Sequence, residues 1–399
     1  MDHLVVVGAS LAGIRAVESA RKAGHTGPVT LVGAEEHLPY DRPPLSKAYL
    51  EEAEPDDVRF RTEEHLRDEL AVTLRLGAPA TGLDPKGRIV AVGEDELAYD
   101  ALVVTTGGAA RTLPGEPLEG VHTLRTLDDA IAVRAALDAG ARTVVIGAGF
   151  IGSEVASGAR KRGLSATIVE ALPVPLVRSV GEDMGHACAA LHRANGTDLR
   201  CGATVEALEG ADGRVTGVRL EGGEVLPADL VVVGIGVNPA TGWLEGSGIE
   251  LHGRDGGVVA DATLRAADRV YAAGDVVHFP NALFDGELMR LEHWTTAAEQ
   301  GALAARNALD PESATELGTV PYFWSDWYGS RIQFVGRPQA DEIRVASAPD
   351  DPKFLALYRR GDRLIGTITI DRPTQIMKYK RLISKRASWA EALEFAGLG

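Results

Sequence analysis

Two short apolar runs, each leading straight into a glycine-rich loop, a helical stretch and a second apolar run, constrain this chain more than any other feature. The first is Leu4-Val5-Val6-Val7, followed by Gly8-Ala9-Ser10-Leu11-Ala12-Gly13, a helical stretch to about Ala23 and the run Val29 to Val32. Fully apolar runs of this length suit strands buried on both faces of a parallel sheet. The strand, loop, helix, strand order lets the backbone N–H groups of a helix N-terminus face a pyrophosphate across a tight turn. Here Ser10 stands where the middle glycine of the fingerprint belongs. Glu35 and Glu36 follow the second run, and Glu35, nearer the strand end, is the better placed to accept from ribose hydroxyls; a solvated acidic turn is the alternative.

The second copy is complete. Thr143 to Ile146 leads into Gly147-Ala148-Gly149-Phe150-Ile151-Gly152, a helix to about Arg162, and a strand Ala166 to Val169 ending in Glu170. Gly147 permits the turn, Gly149 admits the pyrophosphate and Gly152 lets helix pack on strand. A carboxylate at Glu170 would accept from a free 2′-hydroxyl and repel a 2′-phosphate, so NADH is expected over NADPH. Arg160, Lys161, Arg162 and Arg178 lie near enough in sequence to offer a phosphate a cation, which leaves NADPH the second choice.

A chain of 399 residues predicts two or three domains, and 45% hydrophobic with 25% charged residues is ordinary for a globular protein. A net charge of -16 opposes nucleic-acid and anionic-membrane binding. No run of eighteen apolar residues occurs, and a strand beginning at Leu4 leaves no room for a signal peptide, so a cytoplasmic location is expected. Cys188 and Cys201 are too few and too far apart for a CxxC pair, a disulfide framework or a four-thiolate metal site. They read as buried small residues, and no metal is expected.

Two dinucleotide signatures in series resemble the flavoproteins with two dinucleotide-binding domains, in which the first binds FAD and the second, inserted into it, binds NAD(P)H. The stretches Ala101 to Gly108 and Ala228 to Pro239 look like the exit from the flavin domain and the return to it. Arg269-Val270-Tyr271-Ala272-Ala273-Gly274-Asp275 is similar to the superfamily's second FAD motif, whose aspartate binds the flavin ribitol. Within that group, Leu38-Pro39-Tyr40-Asp41-Arg42-Pro43-Pro44-Leu45-Ser46-Lys47 and Phe323-Trp324-Ser325-Asp326 resemble the bacterial putidaredoxin-reductase-like ferredoxin reductases, which feed haem-thiolate monooxygenases and ring-hydroxylating dioxygenases. Disulfide reductases of this architecture carry a Cys pair after the flavin loop; this chain has none there.

The resemblance implies an α/β fold with two Rossmann-like domains, the NAD domain inserted in the FAD domain, and a C-terminal α+β domain. Its boundaries fall at 1–109 with 239–319 for FAD, 110–238 for NAD(H) and 320–399 for the C-terminal interface domain. It implies FAD contacts from Gly8, Ser10, Ala12, Gly13, Glu35, Arg42, Lys47, Ala80, Thr106, Gly107, Arg125, Gly274, Asp275 and Trp294. NAD contacts are implied for Gly147, Gly149, Ile151, Gly152, Glu170, Arg178, Gly234, Ile235 and Gly236. Lys47 is implied near flavin N5 and paired with Glu154, where a cation would stabilise negative charge arriving on the flavin. Trp324 is implied beside the flavin ring, with Trp327 and Tyr328 in the core, while Glu292 and His293 read as structural.

From Val320 onward thirteen Lys and Arg stand against nine Asp and Glu. Arg359, Arg360, Arg363, Lys378, Lys380, Arg381, Lys385 and Arg386 form a candidate patch for an acidic 2Fe–2S ferredoxin docking near the C-terminal domain. A solvated charged face is the alternative. The implied activity is NADH-dependent ferredoxin reduction. A flavin reductase or NADH oxidase using oxygen or a small acceptor, and a redox-linked binding protein resembling apoptosis-inducing factor, are the rival readings. Monomer and homodimer are both compatible with the sequence.

Overall fold

The computed structural model describes residues 3–347 and 353–398. Its contacts divide the chain into two compact units, one of residues 1–41, 58–109 and 238–321, the other of 42–57, 110–237 and 322–399. The first unit is thus interrupted by the second in sequence.

In the first unit the runs Leu4–Val7, Val29–Val32, Val72–Arg75, Ala101–Val104 and Val270–Ala272 pair in parallel, with Leu4–Val7 between Val29–Val32 and Ala101–Val104. An antiparallel strand, Arg265–Ala267, closes one edge. The central strand is fully buried, as its unbroken apolar run requires. The helix Leu11–Lys22 crosses the helix Trp294–Leu309 so closely that a Cβ on Gly301 would stand 2.1 Å from the Ala12 carbonyl oxygen. Only glycine permits that approach.

The second unit repeats the plan. Asp198–Cys201, Ala166–Glu170, Thr143–Ile146, Leu230–Val233 and Val121–His122 form a parallel sheet in that order, and the helix Phe150–Lys161 follows the second glycine loop. A five-stranded antiparallel sheet begins with Tyr322–Trp327 and is followed by the helices Pro373–Ser384 and Trp389–Ala396. Alternation along Tyr322–Trp327 turns Phe323, Ser325 and Trp327 inward. Phe323 and Trp327 join Leu176, Val180, Met184 and Cys188 in one apolar core. Trp327 is fully buried, whereas Tyr328 is only partly so.

Residues 42–57 interrupt the first unit in sequence yet cluster with the second. Lys161 pairs with Glu51 at 2.6 Å, Arg162 donates to the Leu50 carbonyl at 2.6 Å and Arg134 to the Ala53 carbonyl at 2.7 Å.

His192 lies in this unit's interior, stacked on Trp327 at 4.6 Å between ring centres, with Nδ1 2.7 Å from the Tyr328 hydroxyl and Nε2 3.2 Å from Ser153 Oγ. Burial, helped by Arg193, pushes the imidazole from the usual 6.5 down to about 4. Below 6.5 the unfolded chain therefore binds a proton that the folded chain refuses, and stability falls as pH drops from 6.5 towards 4. About 2 kcal/mol of loss is expected by pH 5. Thermal midpoints at pH 7 and pH 5 should separate more in the native protein than in His192→Gln; equal separations would exonerate His192.

Candidate functional site

In the first unit the glycine loop is built so that backbone passes close to backbone. A Cβ on Gly8, whose φ is +122°, would meet the Thr105 carbonyl oxygen at 2.2 Å, and one on Gly13 would meet the Gly8 oxygen at 2.0 Å. Ser10 is the N-cap of the helix Leu11–Lys22, in extended backbone, so the serine leaves the local turn intact. Gly274, at φ +85°, sits with its would-be Cβ 3.3 Å from the Ala12 Cβ, which brings the Gly274-Asp275 turn against the start of that helix. Thr106 Oγ1 donates to the Ala240 carbonyl at 2.8 Å and the Gly107 carbonyl accepts from Ala240 N–H at 2.9 Å. Ala80 opens the strand Ala80–Asp84 of a separate small sheet. Glu35 accepts from the Tyr40 hydroxyl, and Trp294 Nε1 donates to Asp41 Oδ1 at 2.7 Å.

Two residues unassigned in the sequence reading stand out here. Gln300 and Thr296, both fully buried on the helix Trp294–Leu309, leave Gln300 Nε2 and Thr296 Oγ1 without a hydrogen-bond partner among the described residues, while Gln300 Oε1 accepts from Gly274 N–H at 2.8 Å. Buried polar atoms without partners are costly, and their position beside the Gly274-Asp275 turn fits a polar ligand such as FAD. The signal available in sequence was a glutamine followed directly by Gly301 in an otherwise Ala-rich helix.

The second unit carries the other loop. A Cβ on Gly147 would lie 2.4 Å from the Gly234 oxygen and one on Gly152 2.1 Å from the Gly147 oxygen, so both are packing glycines. Gly149 is different, because its nearest neighbour would be 3.8 Å away, leaving room for a pyrophosphate. Glu170 accepts from Ala148 N–H at 2.7 Å and Leu172 N–H at 2.8 Å. A carboxylate can accept about four such bonds, so capacity for a ribose is left. Ile151 is exposed at the helix start, Ile235 packs against the core, Gly236 at φ +102° accepts from Arg111 N–H at 2.9 Å, and Arg178 is exposed on the short helix Val177–Val180. The residues therefore fit a nicotinamide dinucleotide.

In the same unit Lys47 Nζ lies 2.8 Å from Glu154 Oε1, the pair that the family resemblance implied. Glu154 is 1% exposed and also accepts from the hydroxyls of Ser46 and Ser325, and Trp327 Nε1 donates to Ser325 Oγ at 2.7 Å. Both serines stand inside the family-like motifs, Ser46 beside Lys47 and Ser325 between Trp324 and Asp326. Arg42 donates to the Arg125 carbonyl. Trp324, on the outward face of its strand, stacks on Tyr322 at 5.9 Å.

Cys188 is buried, and burial pushes its thiol up to about 12, which disfavours the nucleophilic thiolate. Cys201 is only half-buried, contrary to the reading of both cysteines as core residues, and its thiol is also raised, by burial and by Glu170. Among the described residues the one cluster of three potential metal ligands is His252, Asp255 and His278, and there Arg290 Nε is 2.9 Å from Asp255 Oδ2, so a guanidinium already balances the carboxylate. No helix among the described residues is long and apolar enough to cross a membrane.

Two Rossmann-type units' worth of glycine loops, each on a parallel sheet, with an antiparallel C-terminal sheet, define a nucleotide-dependent oxidoreductase with two dinucleotide-binding domains. Residues 2–301 match the family model for pyridine nucleotide-disulphide oxidoreductases, and residues 322–394 match the reductase C-terminal model. The chain belongs to the pyridine nucleotide-disulphide oxidoreductase family. It is 36% identical over 388 residues to rhodocoxin reductase of Rhodococcus erythropolis, covering 96% of this chain and 89% of that protein. It is 35% identical to a ferredoxin–NAD(P)(+) reductase of a Sphingomonas species, covering 96% and 93%. The fold matches the structure of a covalent putidaredoxin reductase–putidaredoxin complex with a TM-score of 0.90 at 33% identity, covering 96% and 93%.

Proposed function

We propose that this enzyme is an FAD-dependent NADH:ferredoxin reductase, passing electrons from NADH to an acidic 2Fe–2S ferredoxin that serves an oxygenase, in the cytoplasm where NADH is made. The observation that carries the reading is the Pro43–Ser46 turn and Lys47. In place of a redox thiol this segment presents a lysine paired with a buried glutamate, and neither cysteine of the chain lies near it in sequence. With no dithiol to receive them, the electrons are destined for an outside acceptor.

We assign FAD to residues 1–109 and 239–319, NADH to 110–238 and the partner contact to 320–399. The bound flavin supplies two-electron acceptance and one-electron release. Asp275 would hold the ribitol hydroxyls, Glu170 would accept from the free 2′-hydroxyl of NADH, and Lys47, paired with Glu154, would supply a cation for negative charge developing on the flavin. Trp324 supplies a flat apolar wall.

The helix Pro373–Ser384 supports the docking assignment. Lys378 and Arg381 are exposed on it with Met377, and Lys385 and Arg386 are exposed just beyond its end. Arg359 is spent on Glu342 at 2.9 Å, and Arg360 donates to the Gln339 carbonyl at 3.0 Å. With their charges exposed, Lys378, Arg381 and Lys385 are the steering residues.

Cytochrome c reduction with and without an added 2Fe–2S ferredoxin tests the reading. Turnover is expected to depend on ferredoxin, to prefer NADH over NADPH by roughly tenfold or more, and to slow as salt screens the basic helix. Rapid ferredoxin-independent oxygen consumption would establish the oxidase instead, and flavin reduction without catalytic turnover to any acceptor would establish the binding protein.

A further inference from the structure

The antiparallel strands Val277–Asn281 and Glu287–Arg290 pair His278 with Arg290, and the guanidinium reaches three different partners. Arg290 Nε donates to Asp255 Oδ2 at 2.9 Å, Nη2 lies 2.7 Å from Glu292 Oε1, and Nη1 donates to the main-chain carbonyl of Asp275 at 2.9 Å. The side chain is only 13% exposed. Asp255 is in turn held by His278 Nε2 at 2.9 Å, by His252 Nδ1 at 3.1 Å and by the Gly257 N–H at 3.2 Å, with the two imidazoles stacked at 4.1 Å. Hydrogen bonds from His278, Gly257 and Arg290 outweigh burial and hold the Asp255 carboxyl well below the usual carboxylate range.

One carboxylate would neutralise Arg290, yet it has two, and its remaining arm goes to a backbone oxygen. The placement of that oxygen matters. The peptide before Asp275 is anchored through the Gly274 carbonyl, which accepts from Val277 N–H at 3.2 Å, and the peptide after it is anchored by Arg290. With both adjoining peptides held, the backbone angles of Asp275, and hence the direction of its Cα–Cβ bond, are set. Gln300, accepting from the Gly274 N–H, pins the same turn one residue earlier.

We propose that Arg290 is a positioning residue for the flavin, aiming the Asp275 carboxylate through its carbonyl, with Glu292 and Asp255, itself braced by His278, holding the guanidinium in place. This rests on the assignment of Asp275 to FAD. A planar fork with three donors on three partners is a role lysine cannot reproduce.

The test is a double-mutant cycle on the holoenzyme, reading the FAD dissociation constant and the visible flavin spectrum in Arg290→Gln, Arg290→Lys, Asp275→Ala and the paired changes. Arg290→Gln is expected to weaken FAD about tenfold and to alter the flavin band shape, with Arg290→Lys intermediate; Asp275→Ala should weaken FAD more. The Arg290 changes should add nothing once Asp275 is Ala, because Arg290 acts through that side chain. Full additivity, or native FAD affinity and spectrum in both Arg290 variants while Asp275→Ala weakens binding, overturns the proposal but leaves the flavin assignment standing. Native affinity in Asp275→Ala would instead remove the flavin assignment itself. If Arg290→Gln does not fold, Arg290→Lys carries the same cycle.

Discussion

Gly149→Val is expected to leave the protein folded and FAD-loaded while weakening NADH binding on the order of 100-fold, about 2.8 kcal/mol. At Gly149 φ is -75° and ψ -170°, an extended conformation that a β-branched residue adopts readily. The nearest atom to an added Cβ is the Gly234 oxygen at 3.8 Å, an ordinary contact. The glycine is therefore required by the ligand and not by the fold. Gly152→Val offers the contrast, since its Cβ would fall 2.1 Å from the Gly147 oxygen and 2.8 Å from Val145 Cγ1, so it should cost about 3 kcal/mol of stability in the nucleotide domain. Titration of NADH against each variant, beside thermal melts, separates the two. A Gly149→Val protein that binds NADH normally would dismiss this loop as the pyrophosphate site.

Lys47→Ala carries the second large effect, slowing flavin reduction by NADH roughly 10- to 100-fold. Removing the ammonium leaves Glu154, 1% exposed, with two serine hydroxyls and no other cation paired with it among the described residues. An uncompensated buried carboxylate costs on the order of 3 kcal/mol, so Lys47→Ala should also lower the melting temperature. Lys47→Ala combined with Glu154→Gln removes the charge along with its partner and should regain most of the stability but not the rate. That split separates packing from chemistry: a double variant recovering both would reduce Lys47 to a structural counter-ion. Stopped-flow absorbance of the flavin band measures the rate directly.

The parallel strands were legible because their signal is local. Leu4–Val7, Val29–Val32 and Thr143–Ile146 appear in the structure at the bounds their apolar runs announce. The two nucleotide helices end within a residue or so of expectation, at Lys22 and Lys161. The Lys47–Glu154 pair was legible only through family resemblance, since nothing in the composition of either segment points at the other. Gln300 escaped notice because a polar residue on a helix ordinarily faces solvent, and only the close crossing at Gly301 turns it inward.

What the chain's residues determined by themselves was the cofactor class: two glycine loops behind apolar strands, each followed by an acid, because turn geometry and strand periodicity are properties of a few consecutive residues. Tertiary structure alone decided what surrounds the charged groups. Ser46 and Ser325 reach Glu154 from 108 and 171 positions away, and Arg290 joins Asp255, Glu292 and Asp275 across a hairpin and a loop. Such clusters form because buried charges must be hydrogen-bonded wherever folding places them, and the partners that satisfy them come from whichever segments packing brings together.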